Sequence, residues 1–133
     1  MALLEDLGGY LDTNSALVTL GTNLFYGLMP ETVANCVTLY ESGGAPPLFT
    51  QGTVNLPVME RPQLQMLVRN AVYATGRSTA EELYRILTAI TNQTVNGNHY
   101  LRVEAISVPS LIERDANKRA VFSCNFDVLR TLP

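Results

Sequence analysis

Two kinds of apolar spacing follow one another in the middle of the chain. In Gln63-Leu64-Gln65-Met66-Leu67-Val68-Arg69, the apolar Leu64, Met66 and Val68 alternate with Gln63, Gln65 and Arg69, interrupted only by Leu67. That period of two belongs to a strand with one buried face. The period then changes. Ser78-Thr79-Ala80-Glu81 has the form of a capping box, in which the Ser hydroxyl accepts from the amide three residues on and the Glu reaches back, so a helix is predicted to start at Ser78. Leu83, Ile86, Leu87 and Ile90 continue at helical spacing, with Glu81 and Arg85 four apart on the other side. A strand followed by a helix that lays one apolar stripe on the sheet predicts an α+β layer.

The remaining segments extend this picture. Leu3, Leu4, Leu7 and Leu11 predict an opening helix of about ten residues, with Glu5, Asp6 and Asp12 off the stripe and Asp12-Thr13-Asn14-Ser15 as its stop. Gly8-Gly9 costs that helix on the order of 1 kcal/mol per residue against alanine, so packing must hold it. Beyond Gly21 a short apolar strand runs to Pro30, and Ala34-Asn35-Cys36-Val37-Thr38-Leu39-Tyr40 reads as a second strand that ends at Glu41-Ser42-Gly43-Gly44. Asn96-Gly97 marks a turn. After it, His99 to Ile106 alternates with Leu101, Val103 and Ala105 on one face, and Pro109 closes that strand. Arg114-Asp115-Ala116-Asn117-Lys118 is a polar turn. Ala120 to Val128 puts Ala120, Phe122, Cys124, Phe126 and Val128 on one side, and this strand is predicted to pair with His99 to Ile106 as an antiparallel hairpin. The expected architecture is α+β: a mixed or antiparallel sheet of about four to five strands with two main helices packed on one face.

Residues 45–61 fit no period. Pro46, Pro47 and Pro57 interrupt them, Pro62 follows, and Gly52 sits in the middle, yet they hold Leu48, Phe49, Val54, Leu56, Val58 and Met59. A stretch this apolar is unsuited to a free linker, and the expectation is a long loop or arm that packs on a neighbouring subunit.

Composition narrows the function classes. At 133 residues the chain is expected to form one domain, and 47% apolar against 16% charged residues puts it on the greasy side of soluble chains, which average about 25% charged. A net charge of −3 and nine cations spread from Arg61 to Arg130 argue against a nucleic-acid stripe. Eight of the nine are Arg, which suits bidentate contacts at protein interfaces. No run approaches the roughly 18 apolar residues of a membrane span, and the N-terminus lacks the basic residues of a signal peptide. The chain is therefore expected in the cytoplasm when made, with no membrane partner.

The chemistry-bearing residues form no constellation. His99, the only histidine, stands where a turn becomes a strand. Cys36 and Cys124 lie in apolar strand segments, the setting of buried free thiols; a thiol enzyme pairing one of them with His99 is the alternative from another class. Glu81 and Glu82 point about 100° apart on a helix and make no acid/base pair. Gly43-Gly44 lacks the lysine and capped helix of a phosphate loop. No catalytic residue, metal ligand or cofactor is expected.

Read in order, several pieces resemble the tail-terminator type of phage minor capsid protein. They are Leu24-Phe25-Tyr26-Gly27-Leu28-Met29-Pro30; Val37-Thr38-Leu39-Tyr40-Glu41-Ser42-Gly43-Gly44; Glu60-Arg61-Pro62-Gln63-Leu64-Gln65-Met66-Leu67-Val68-Arg69; Pro109; and Arg114-Asp115-Ala116-Asn117-Lys118-Arg119 followed by Phe122-Ser123-Cys124-Asn125-Phe126. The resemblance implies an α+β virion subunit, assembled as a ring, typically a hexamer, at the head-proximal end of the tail. The ring stops growth of the tube and meets both the tail tube protein and the neck or connector proteins, while DNA passes through the lumen without sequence-specific contact. Head completion and the tube itself are the neighbouring possibilities. A ring of head-to-tail contacts needs two different surface patches per subunit. The exposed candidates are Pro47, Phe49, Val54, Leu56, Met59 and Arg61 on the arm and Arg114, Asp115, Lys118 and Arg119 on the polar turn.

Overall fold

The computed structural model describes residues 3–48 and 59–131. Among them the chain forms α1 (Leu3–Asn14), β1 (Leu24–Tyr26), β2 (Cys36–Leu48), β3 (Met59–Asn70), α2 (Tyr73–Thr88), β4 (Thr91–Val95), β5 (Asn98–Ala105), β6 (Ser110–Arg114) and β7 (Ala120–Thr131). The fold is α+β as expected, but the sheet has seven strands rather than four or five, in the order β1-β2-β3-β7-β5-β4 with β6 also on β7. It is mixed: β1 runs parallel to β2 and every other pair is antiparallel. The extra strands escaped the periodicity argument because β4 (TNQTV) is polar and β6 (SLIER) is short and exposed throughout. Their strand state comes from the neighbour they pair with.

β7 is the spine. Its full length pairs with β3 on one side, while β6 takes its first part and β5 its second part on the other. Leu64, Met66, Val68, Ala120, Phe122, Cys124, Phe126 and Val128 are buried on the face that meets the helices, as the alternation predicted. Leu83 and Leu87 of α2, Ile90 just beyond its end and Leu3, Leu7 and Leu11 of α1 close this core. β5 departs from the prediction. A register shift between Tyr100 and Arg102 makes Leu101 the residue that slips, so Tyr100, fully buried, takes the inward place expected of Leu101, and Val103 keeps its own.

α2 starts five residues before the capping box. Strand β3 ends at Asn70, whose side-chain oxygen accepts from the Val72 amide at 2.9 Å, and Gly76 already donates to the Val72 carbonyl at 3.0 Å. No side chain caps the helix, and Glu81 instead pairs with Arg77 at 3.3 Å and Arg85 at 4.0 Å. Gly76, a poor helix former, marks where the helix comes nearest the sheet: a Cβ there would lie 2.9 Å from the Phe122 ring. Docking on Phe122, with Tyr73 against the same ring at 5.3 Å, holds a turn that local propensity would not start.

Residues 45–48 and 59–61, expected in a loop or arm, belong to β2 and β3, which pair as far out as Leu48 and Met59. Glu41-Ser42-Gly43-Gly44 does not end the second strand but puts a bulge in it, with Gly43 at φ 88° and Gly44 at φ 128°. A Cβ on Gly44 would meet the Arg61 carbonyl oxygen at 2.3 Å, so the two strands approach more closely there than any side chain allows. The arm expectation for residues 49–58, including Phe49, Val54 and Leu56, lies outside the described residues.

Candidate assembly surface

The polar turn between β6 and β7 is built by Asp115. Its carboxylate accepts from the amides of Asn117 at 3.0 Å and Arg119 at 2.8 Å and from Arg119 Nε at 2.6 Å. Lys118 adopts φ 63° to close the turn, and Arg114 donates to its carbonyl at 3.2 Å. Arg114 and Lys118 are exposed and Asp115 half-buried, but Arg119 is only 7% exposed. Its guanidinium turns inward to the Glu31 carbonyl and carboxylate, both at 3.1 Å. Arg69 on the neighbouring strand β3 is also buried and donates to the carbonyls of Pro30 and Val33. These two arginines pin residues 30–35 against one end of the sheet, so Arg119 shapes the surface that Arg114 and Lys118 present.

Burial would raise the Asp115 carboxyl, yet the amide and guanidinium of Arg119 outweigh it and hold this group below its ordinary value of 3.8. A depressed carboxylate stabilises the fold above its unfolded pKa and loses that contribution as pH falls through the lower, folded value. Asp115→Asn is therefore expected to be less stable than wild type at pH 7, with the gap shrinking as pH falls below about 4. Urea titrations at the two ends of that range test this, and a gap unchanged by pH would refute it.

A second polar group lies where β3 begins. Asp6, placed off the apolar stripe by its spacing, is 1% exposed. It accepts from Asn96 at 3.0 Å, Asn98 at 2.7 Å and the Tyr100 hydroxyl at 2.6 Å. Arg130 donates to the same hydroxyl at 3.1 Å, approaches Asp6 to 4.0 Å, and reaches Glu60 with Nε at 2.8 Å and NH2 at 2.7 Å. Burial, then the bond to Asp6, raises the Tyr100 hydroxyl far above its usual range. The network joins α1, the β4–β5 turn, β7 and the first residues of β3, and so fixes the end of β3 that pairs with Leu48. Met59 and Arg61, half-buried, flank Glu60 at this end, and Pro47 lies opposite them in β2. No sequence motif announces these contacts; Asn96-Gly97 alone places two of the donors, and it was read only as a turn.

The residues considered for chemistry stay apart. His99 lies 3.5 Å from the Thr94 hydroxyl on the β4–β5 hairpin. Cys36 and Cys124 are buried free thiols. Burial pushes Cys124 up to about 11, and its Sγ donates to the Ser107 carbonyl at 3.1 Å; burial also raises Cys36, outweighing Arg69 and Arg119. At pH 8 Cys124 should react with a thiol reagent roughly 100-fold more slowly in the native protein than after denaturation, and Cys36 should also be slowed. One fast native cysteine would contradict that. Among the described residues no group of three or more His, Cys, Asp and Glu could hold a metal ion, and no helix is long and apolar enough to cross a membrane.

Buried ion pairs hold the loops at the ends of the sheet, and both thiols are shielded. The sequence matches the family described as bacteriophage tail terminator protein over residues 4–131, and the chain belongs to that family. It is a phage tail structural protein and not an enzyme. Among solved structures, the fold is similar to a chain of the virion of a native gene transfer agent particle, with a TM-score of 0.70 at 11% identity, covering 98% of this chain and 95% of that one. A second solved chain is similar with a TM-score of 0.52 at 13% identity, covering 99% of this chain and 92% of the other. No curated protein matches the sequence.

Proposed function

We propose that this subunit forms a ring, typically a hexamer, on the head-proximal end of the tail tube, where it stops tube growth and joins the tube to the neck proteins. The observation that carries this reading is the family match, which spans almost the whole chain. The chemistry of the subunit agrees: its ion pairs and hydrogen bonds serve to hold surface segments in place. Pro47, Phe49, Val54, Leu56, Met59 and Arg61 contact the tube or a neighbouring copy. The turn carrying Arg114, Asp115 and Lys118 offers a second contact, with Arg119 as its internal brace. Its partners are then other copies of itself, the tail tube protein and the neck or connector proteins, and DNA slides through the lumen. It works in the virion, after assembly in the host cytoplasm.

Native mass spectrometry and negative-stain images of the purified protein at tens of micromolar, with and without tube protein, test the reading. Rings are expected, and added subunit should fix the length of growing tubes. Monomer alone under both conditions would overturn it, and copolymerisation into the tube wall would make the chain a tube subunit instead.

A further inference from the structure

The large exposed hydrophobic side chains are not scattered. Among the described residues, Leu17, Leu20 and Leu28 surround β1, while Ile106, Val108, Leu111 and Ile112 form and precede β6. Val72 and Tyr73, the other two, begin α2 beside Phe122. Both segments lack charge: no Asp, Glu, Lys or Arg occurs in residues 13–30 or in residues 105–112. Their places in the sheet are related. Leu24 of β1 pairs with Val37, Val37 with Val68, Val68 with Phe122, and Phe122 with Leu111 of β6. One register row therefore crosses five strands and has an apolar patch at each end, at the same height along the strands.

We propose that these two patches are the two halves of the contact between neighbouring copies, β6 of one subunit packing on the β1 edge of the next; this rests on the ring reading above. A head-to-tail ring requires two different, complementary surfaces on opposite sides of one subunit. Rotation about an axis running along the strands carries the β1 edge of one copy to the β6 edge of its neighbour without changing height. Two aliphatic, uncharged patches suit the core of such a contact, from which charged residues are depleted. Side chains make the contact rather than an added strand. On β1 the turn before it already occupies the backbone, with Gly21 donating to the Leu24 carbonyl at 3.0 Å and Leu24 to that of Thr19 at 3.2 Å. On β6 the register shift between Leu111 and Glu113 makes Ile112 the extra residue of a bulge, 52% exposed, which blunts the strand edge and leaves a side chain to pack. The other edge strand, β4, is polar and irregular, with Asn92 at φ 45°, and offers no comparable patch.

Leu28→Asp and Ile112→Asp test the assignment, because Leu28 is 75% exposed and neither side chain belongs to the core cluster. Each variant is expected to keep the wild-type melting temperature and to raise the concentration for half-assembly roughly 30-fold or more, the size of a hot-spot loss. An equimolar mixture of the two should stop at dimers, since each pair can form one intact contact and leaves a blocked edge on either side. Leu20→Asp or Val108→Asp replaces either variant if it unfolds. If wild type forms rings and both variants do too, the copies meet elsewhere, the ring reading stands and this assignment is overturned. Wild-type protein that never forms rings removes both.

Discussion

Arg130→Met is expected to lower the stability of the subunit by about 3–5 kcal/mol. The arginine is 5% exposed and stands between two carboxylates, Glu60 at 2.7 Å and Asp6 at 4.0 Å. Removing it leaves Asp6, fully inside the protein, with neutral donors only among the described residues, and takes from Glu60 its contacts to the guanidinium. The cost comes from the carboxylates left behind more than from the lost attraction. The double variant Asp6→Asn with Arg130→Met should therefore be less damaged than Arg130→Met alone. Thermal unfolding should register the single variant as a fall on the order of 10–20 °C. A fall of only a degree or two, or a double variant worse than the single, would show that the network is not what anchors this end of β3.

Phe122→Ala is the second large prediction, again about 3–5 kcal/mol. The ring is completely buried in the middle of the row that runs from Leu24 to Leu111, with Tyr73 packed on it and Gly76 shaped to let it in. Alanine would remove the surface on which Tyr73 and Gly76 pack and leave a cavity that the surrounding structure closes only in part. The damage should be uneven. Residues 73–77 are helical because they dock on this ring, so the amides of residues 76–79, which bond back to Val72 and that first turn, should lose hydrogen-exchange protection before those of residues 80–88, which keep Leu83 and Leu87 in the core. A loss below 1 kcal/mol in denaturant titrations, or uniform loss of protection along α2, would contradict this account.

The long periodic segments were legible because their spacing is itself the physical cause of their state. Leu64, Met66 and Val68, the alternating stretch of β7 and the Leu83, Leu87, Ile90 stripe are buried where their periods put them. Gly43-Gly44 was correctly read as backbone outside the β region, but a strand can carry such a pair as a bulge as well as end at it. The pairing with β3 decides between the two. The capping box failed for a related reason. Ser78 has the right neighbours for a cap, but Tyr73 and Gly76 meet Phe122 upstream, and docking extends a helix past a local stop.

The candidate contact residues were legible only in part. Arg114 and Lys118 are exposed, as a polar turn suggests, whereas Arg119 is buried by Glu31, 88 positions away in the chain. Nothing in the local sequence distinguishes one arginine from the next. Leu28, Val108 and Ile112 show the same limit from the other side: each sits in an apolar segment that could as well have been core.

By itself, then, the sequence determined the α+β class, the core faces of the main strands and helices, and the family, because each of these is written in local spacing and in the order of motifs. Tertiary structure alone decided that Asp6, Tyr100, Arg130 and Glu60 meet, that Arg119 faces inward, and that two uncharged apolar patches lie level on opposite edges of the sheet. Those facts depend on which strands become neighbours, and pairing across dozens of residues is set by the sum of the packing, which no local window contains.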